Sequence, residues 1–270
     1  MAEVPEVEIL AQGLREVVCG RRIDEVVVLQ PDAVRFPAVP EFIALLQGRT
    51  VRHAQRRAKY LLLTLSDDFL LAVHLALWGT LQLVPTTNQL AAETLIRWQL
   101  NGDEDLRLVD KLGYARAAAG PTATLTDVLD LASLGPEALA PSFDVGTLAQ
   151  CLAKRRGVLK SVLLNQRVLA GLGNRDADES MWLARIDPRR SAASLSDAEL
   201  TRLHAAIIEV LHQGLALRGT QRDLLGKKGA ALHGRFIFEK TGHHCPRCGT
   251  RIAHLRLGGR NTHFCPQCQM

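Results

Sequence analysis

Apolar residues near the start of the chain recur at helical spacing. Val7, Leu10, Leu14 and then Val17 or Val18 fall on one helical face. From Arg22 to Arg116 the pattern changes to short apolar or β-branched runs: Ile23 to Leu29, Tyr60 to Leu65, Leu70 to Leu77 and Leu81 to Val84. Turn signals at Asp67-Asp68, Pro85-Thr-Thr-Asn and Asn101-Gly102 separate them, so the segment predicts a sandwich or barrel of strands. Gly135-Pro136, followed by Pro141, predicts a linker. Beyond it the period turns helical again over Val145 to Lys154, Lys160 to Asn165 and Ser196 to Leu217. Ser196 and Glu199 have the spacing of a capping box for the last of these helices. There are no internal repeats. The expected fold is multi-domain α+β: an N-terminal helix with a β-sandwich over 1–135, a helical domain over 136–236 and a small C-terminal module over 237–270.

That last module is defined by cysteine. Cys245 and Cys248 form one Cys-x-x-Cys pair, Cys265 and Cys268 another, with sixteen residues between them. Two such pairs at this separation have the ligand set of a tetrahedral zinc ribbon, one structural zinc per chain. The intervening Gly249 to Phe264, rich in glycine and basic residues, predicts a hairpin that the metal holds and presents outward. The two other cysteines, Cys19 and Cys151, fit a reducing, cytoplasmic compartment where thiols are kept for metal. No apolar run approaches a membrane span, and the N-terminus lacks the features of a secretory signal.

Charge narrows the partner. The net charge is +5 and the pI about 9.0, a balance that favours an acidic ligand, with nucleic acid first. The basic residues cluster at Arg52 to Lys59, Lys154 to Lys160, Arg185 to Arg190, Lys227 to Arg235 and in the ribbon. Solvated turns explain any one cluster, whereas a single binding face explains all five.

The chain opens Met1-Ala-Glu-Val-Pro-Glu-Val-Glu8. It carries Gln166-Arg-Val-Leu-Ala-Gly-Leu-Gly-Asn-Arg-Asp-Ala-Asp-Glu179 in its middle, and ends with Gly258-Gly-Arg-Asn-Thr-His-Phe-Cys-Pro-Gln-Cys268. In this order the three stretches resemble the N-terminal string, helix–two-turn–helix motif and zinc finger of the formamidopyrimidine-DNA glycosylase and endonuclease VIII family. Arg56 to Leu63 and Leu134 to Leu139 are similar to further strings of that family, so the resemblance spans essentially the whole chain. It implies that 136–236 is a helix–two-turn–helix DNA-binding domain and that the protein is a monomeric DNA repair glycosylase with AP lyase activity. It also implies DNA-backbone contacts from Lys59, His74, Asn174 and Arg260, the first and last of these counted with the catalytic set. Lysine and arginine suit that role because they displace counterions from phosphate.

The departures from the family pattern are as informative. Its nucleophile is the free α-amino group of the second residue, usually proline, and the matching residue here is Ala2. A terminal amine with an ordinary pKa of about 7.7–8.0 keeps a neutral fraction near pH 7 and can form a Schiff base. Glu3 matches the family's proton-transferring glutamate, although a first-turn acid favoured by the helix dipole is the ordinary reading of such a residue. Glu6 matches a supporting glutamate. The family string that fills the gap left by a flipped base is similar to His74-Leu-Ala-Leu-Trp-Gly79, with Leu77 at the methionine and Trp78 beside it. The string that reads the opposite base is Asp110-Lys-Leu-Gly-Tyr-Ala115, whose arginines have become Leu112 and Gly113, leaving Tyr114 as the wedge. In the helix–two-turn–helix motif the usual Ile-Tyr is Arg175-Asp176. These changes predict relaxed opposite-base reading, or a preference for single-stranded or crosslinked DNA. Trp78 reads equally as a stacking residue or as sandwich core. The alternative function is a relative that binds damaged or abasic DNA without excising bases.

Overall fold

The computed structural model describes residues 2–153 and 155–270, and these fall into two compact units, 2–132 with 218–230, and 133–153 and 155–217 with 231–270. Met1, in the opening string, and Lys154, the expected end of a helix, lie outside the described residues.

In the first unit, α1 (Val4–Val17) buries Val7, Leu10, Ala11 and Leu14 on its expected face, with Pro5 in the first turn where its missing N–H costs nothing. The strands β1 (Ile23–Val28) and β2 (Val34–Phe36) lead to a helix the pattern did not reveal, α2 (Val39–Leu46). It lies within the stretch read as β throughout, and buries only Phe42 and Leu46, one helical turn apart. The β-rich run then continues as β3 (Val51–Arg57), β4 (Tyr60–Leu65), β5 (Phe69–His74), β6 (Thr80–Pro85), β7 (Thr94–Leu100), β8 (Glu104–Val109) and β9 (Arg116–Pro121), ending in the short α3 (Thr122–Val128). The expected strand from Leu70 to Leu77 stops at His74, because Ala76 adopts a left-handed φ of 52° and turns the chain.

The strands form two sheets, in the orders β1-β7-β8-β6 and β2-β9-β5-β4-β3. All pairs are antiparallel except β2 on β9. One core joins Leu61, Leu63, Leu71 and Val73 of one sheet to Ile96, Trp98, Leu106 and Leu108 of the other and to Leu10 and Leu14 of α1. Strand β9 has the poor β-formers Ala117 to Ala119, all buried, and pairing with β5 overrides their propensity. Leu224 joins this core and its carbonyl accepts the Leu83 N–H at 2.9 Å, so residues 218–230 pack with the first unit.

The second unit holds α4 (Val145–Ala153), α5 (Leu159–Leu163), α6 (Asn174–Ala184) and α7 (Asp197–Ala216), followed by the hairpin of β10 (Ala253–Leu257) and β11 (Arg260–Phe264). Ser196 and Glu199 form the capping box that starts α7. Gly135-Pro136 is packed rather than loose: the Gly135 N–H donates to Gln166 O, and Pro136 O accepts from Ala170, both at 2.9 Å. A Cβ on Gly135 would sit 2.6 Å from the Val168 backbone, so only glycine permits this approach. Among the described residues no helix is long and apolar enough to cross a membrane.

Candidate functional site

Ala2 and Glu3 lie immediately before α1, and both are buried, Ala2 at 3% and Glu3 at 2% exposure. Glu6, also buried, holds this end in place. Its Oε2 accepts the Glu3 N–H at 2.8 Å, while Oε1 accepts from the Thr220 N–H at 2.8 Å and the Thr220 hydroxyl at 2.9 Å. Gly219 has a φ of +65°, and a Cβ there would meet Glu6 Cγ at 3.1 Å. One carboxylate thus joins the start of the helix to a loop more than two hundred residues later. Farther along α1, Glu8 pairs with Arg15 at 2.9 Å and Arg56 at 3.1 Å, which ties the helix to β3.

Lys59 sits in the two-residue turn between β3 and β4, next to Ala58 at a left-handed φ of 51°. Register then pairs Tyr60 with His74 across β4 and β5, with their ring centroids 5.0 Å apart. His74 Nδ1 accepts the Ala76 N–H at 3.3 Å, which leaves Nε2 as the donor. Burial, together with the positive charges of Lys59 and Arg35, pushes the His74 imidazole down to about 4. His74 is therefore neutral at pH 7 and can offer an anion a hydrogen bond but no charge.

Beyond His74, Leu77 and Trp78 project from the turn into β6, Trp78 with 63% of its surface exposed. This excludes the core reading of Trp78. The loop before β9 is built on the buried Asp110, whose carboxylate accepts from Leu112 at 3.0 Å and from Tyr114 and Ala115 at 2.8 Å. Leu112 and Tyr114 stand exposed on that scaffold. A Cβ on Gly79 would lie 2.7 Å from Ala115 Cβ, so the two loops abut at their bases.

In the second unit the turn between α5 and α6 is held by Gln166. Its Oε1 accepts the Gly171 N–H at 2.8 Å, and its amide donates to Leu164 O and Leu172 O. Asn174 opens α6, and its Nδ2 donates to Asn261 O at 3.0 Å, beside Arg260 at the start of β11. Gly258 and Gly259, both with positive φ, make the hairpin turn, and a Cβ on Gly258 would come within 2.8 Å of Ser161 Oγ. Beneath Arg260 lies a buried network that the sequence reading missed. Lys160 Nζ donates to Asn261 O at 2.6 Å and to Thr262 Oγ1 at 2.9 Å, and pairs with Asp178. Asp178 Oδ2 in turn accepts the His263 N–H at 2.9 Å. The signal available was a lysine inside the apolar run Val158 to Leu164. Glu179 was missed as well: buried, it accepts backbone N–H groups from Phe236, Ile237 and Phe238 at 2.8–2.9 Å. Arg175 and Asp176 are buried and paired at 2.7 Å.

The structure thus brings together Ala2 with Glu3, Lys59 with His74, the Leu77–Trp78 turn with the Tyr114 loop, and Asn174 with the Arg260 strand. It also gathers the four cysteines. The sulfurs of Cys245, Cys248, Cys265 and Cys268 all lie within 4.8 Å of one another. The Cys245–Cys268 and Cys248–Cys265 separations are 3.9 and 3.5 Å. Four thiolates about 2.3 Å from one zinc stand roughly 3.8 Å apart, so the set fits a single tetrahedral structural zinc. The backbone helps: Gln269 Oε1 accepts the Cys265 N–H at 2.8 Å, and its amide donates to Ile186 O at 2.9 Å.

Comparison with known proteins identifies this arrangement. Residues 1–117 match the formamidopyrimidine-DNA glycosylase N-terminal domain, 134–224 the H2TH domain of the same enzymes, and 242–269 the zinc finger found in FPG and IleRS. The formamidopyrimidine-DNA glycosylase of Moorella thermoacetica is 42% identical over 260 residues, covering 95% of each chain. That of Thermosynechococcus vestitus is 38% identical over 276 residues, covering 100% of this chain and 97% of the relative. Among solved structures, the complex of Lactococcus lactis Fpg with DNA containing an abasic site superposes with a TM-score of 0.93 at 30% identity over both entire chains. A two-sheet unit entered by a buried N-terminal helix, a helix–turn–helix unit and a four-cysteine ribbon are the three parts matched, and the chain belongs to the formamidopyrimidine-DNA glycosylase family of DNA repair enzymes.

Proposed function

We propose that this protein is a cytoplasmic, monomeric DNA glycosylase with AP lyase activity that acts through the Ala2 amine and Glu3 and reads the opposite base weakly. The observation that carries the reading is the burial of Ala2 and Glu3 side by side, on a helix end fixed by Glu6 and Thr220. A nucleophile gains most from a site that holds it in one position and excludes water. Removal of Met1 leaves the Ala2 amine free. The neutral amine attacks C1′ of the damaged nucleotide, the glycosidic bond breaks, and the base departs with a proton. Opening of the C1′–O4′ bond, with proton transfer to O4′, gives an iminium that acidifies C2′. Loss of a C2′ proton then expels the 3′ phosphate. Glu3 is the group beside the amine suited to relay these protons. An imine from a primary amine must be protonated to act as an electron sink, so Ala2 works more slowly than proline would.

Lys59, Asn174 and Arg260 are the phosphate contacts, with His74 a neutral donor beside Lys59. The solved structures this chain resembles include Lactococcus lactis Fpg with abasic-site DNA and its G226P mutant with DNA containing Fapy-dG, which supports damaged DNA as the ligand. Leu112 lacks the donors that read a base edge, while Trp78 and Tyr114 offer aromatic faces, which supports stacking over pairing-based recognition.

The test is reductive trapping. Incubating abasic-site DNA with the protein and borohydride is expected to yield a covalent adduct that disappears when one residue is added before Ala2. Intact DNA binding with no adduct overturns the lyase reading and favours a protein that binds damage without excision.

A further inference from the structure

Trp182 sits at the C-terminal end of α6, 4% exposed, in a small core with Ile237, Cys245, Ile252 and Cys265. Its indole Nε1 lies 3.4 Å from Cys245 Sγ, within hydrogen-bonding distance for sulfur. An indole N–H only donates, and the sulfur of a zinc-bound cysteine keeps most of its thiolate charge, so the contact is a charge-assisted N–H···S bond. The ring is held in place from two sides of the sequence. Phe236 stacks on it with centroids 4.8 Å apart and planes at 23°. The Arg247 guanidinium lies 4.2 Å from its centroid, and Arg247 also donates to Trp182 O at 2.9 Å. Arg247 belongs to the Cys245–Cys248 knuckle itself, so this knuckle reaches α6 through a sulfur, a cation–π contact and a helix-end carbonyl.

We propose that Trp182 is a positioning residue of the zinc centre: by donating to the Cys245 thiolate it tightens metal binding and makes docking of the knuckle on α6 part of the same event. Outer partners of metal ligands typically change affinity about 10–100-fold when removed. The inference concerns the metal and is independent of the catalytic reading of Ala2.

Two measurements on the full chain test it. In zinc transfer to a chromogenic chelator, Trp182→Phe keeps an aromatic ring and removes the donor. It is expected to release zinc at least 10-fold more readily than the unaltered protein. Release at the unaltered rate overturns the proposal. The second needs no variant and covers the case in which Trp182→Phe fails to fold. In the cadmium-113-substituted protein, one of the three tryptophan indole N–H resonances should show scalar coupling to the metal across the sulfur. Absence of coupling at every indole overturns the proposal.

Discussion

Lys160 Nζ lies 2.6 Å from Asp178 Oδ1, and neither side chain is reached by solvent. The pair sits under the strand that carries Arg260, and its contacts to Asn261, Thr262 and His263 fall on that strand. A buried pair of this kind fixes geometry more than it adds stability, because desolvation offsets most of the attraction.

Removing one partner leaves the other charge stranded. Lys160→Met is expected to lower unfolding free energy by about 3–5 kcal/mol, with much of the loss recovered in Lys160→Met/Asp178→Leu. Urea denaturation followed by circular dichroism measures both. A single-variant loss below about 1 kcal/mol would mean the network is solvated in solution.

At the other unit's key junction, Thr220→Val removes a hydroxyl donor to the buried Glu6 carboxylate and is expected to cost about 1–3 kcal/mol. Gly219→Ala should cost roughly 1–2 kcal/mol, since alanine pays for a left-handed backbone and its Cβ crowds Glu6. Thermal unfolding compares the two. Equal, negligible shifts would show that the loop at 218–230 does not depend on Glu6.

The depressed His74 gives a signed pH effect. Its folded value, about 4, lies below its ordinary 6.5, so between these values the unfolded chain binds the proton more readily. Stability is full above pH 6.5 and declines as pH falls towards 4. Urea midpoints at pH 7.5, 5.5 and 4.5 should fall less steeply for His74→Gln than for the unaltered protein; parallel slopes would contradict the assignment.

The same neutrality separates two proposed DNA contacts. Arg260→Ala is expected to lower the slope of log affinity against log salt by about 1, whereas His74→Gln should weaken binding without changing the slope. Fluorescence anisotropy on an abasic-site duplex across a salt series reads both, and a reduced slope for the histidine variant would show that it carries charge when bound.

For specificity, the identity of the base opposite the lesion should alter excision little, because Leu112 can make no hydrogen bond to it. Trp78→Ala is expected to weaken binding to single-stranded DNA by about 10-fold or more, in line with the loss of one stacked base. A strong preference for cytosine opposite the lesion, in single-turnover assays, would show that another residue reads that strand.

Much of this molecule was legible because its signals are local. The face Val7, Leu10, Leu14, the Ser196–Glu199 cap and the two Cys-x-x-Cys pairs each depend on residues a few positions apart, and each appears where its spacing puts it. Helix α2 was hidden because only Phe42 and Leu46 are buried, too few to set a period. Strand β9 was hidden because its alanines take their conformation from β5.

Helix α6 marks the boundary between the two kinds of information. Its sequence, Asn174-Arg-Asp-Ala-Asp-Glu-Ser-Met-Trp-Leu-Ala184, is polar enough to read as a solvated surface, yet Arg175, Asp176, Asp178, Glu179 and Ser180 are all buried. Their partners include Lys160, the N–H groups of residues 236–238 and His263, the last 85 positions away. A charge is stable in a core only where such partners converge, and convergence is a property of the folded chain. The sequence by itself determined the elements with a local period, such as α1 and α7, together with the four-cysteine metal set and the candidates Ala2, Lys59 and Arg260. Only the tertiary structure decided that Trp78 is exposed, that His74 is uncharged, and that a loop at 218–230 returns to hold the buried end on which Ala2 lies.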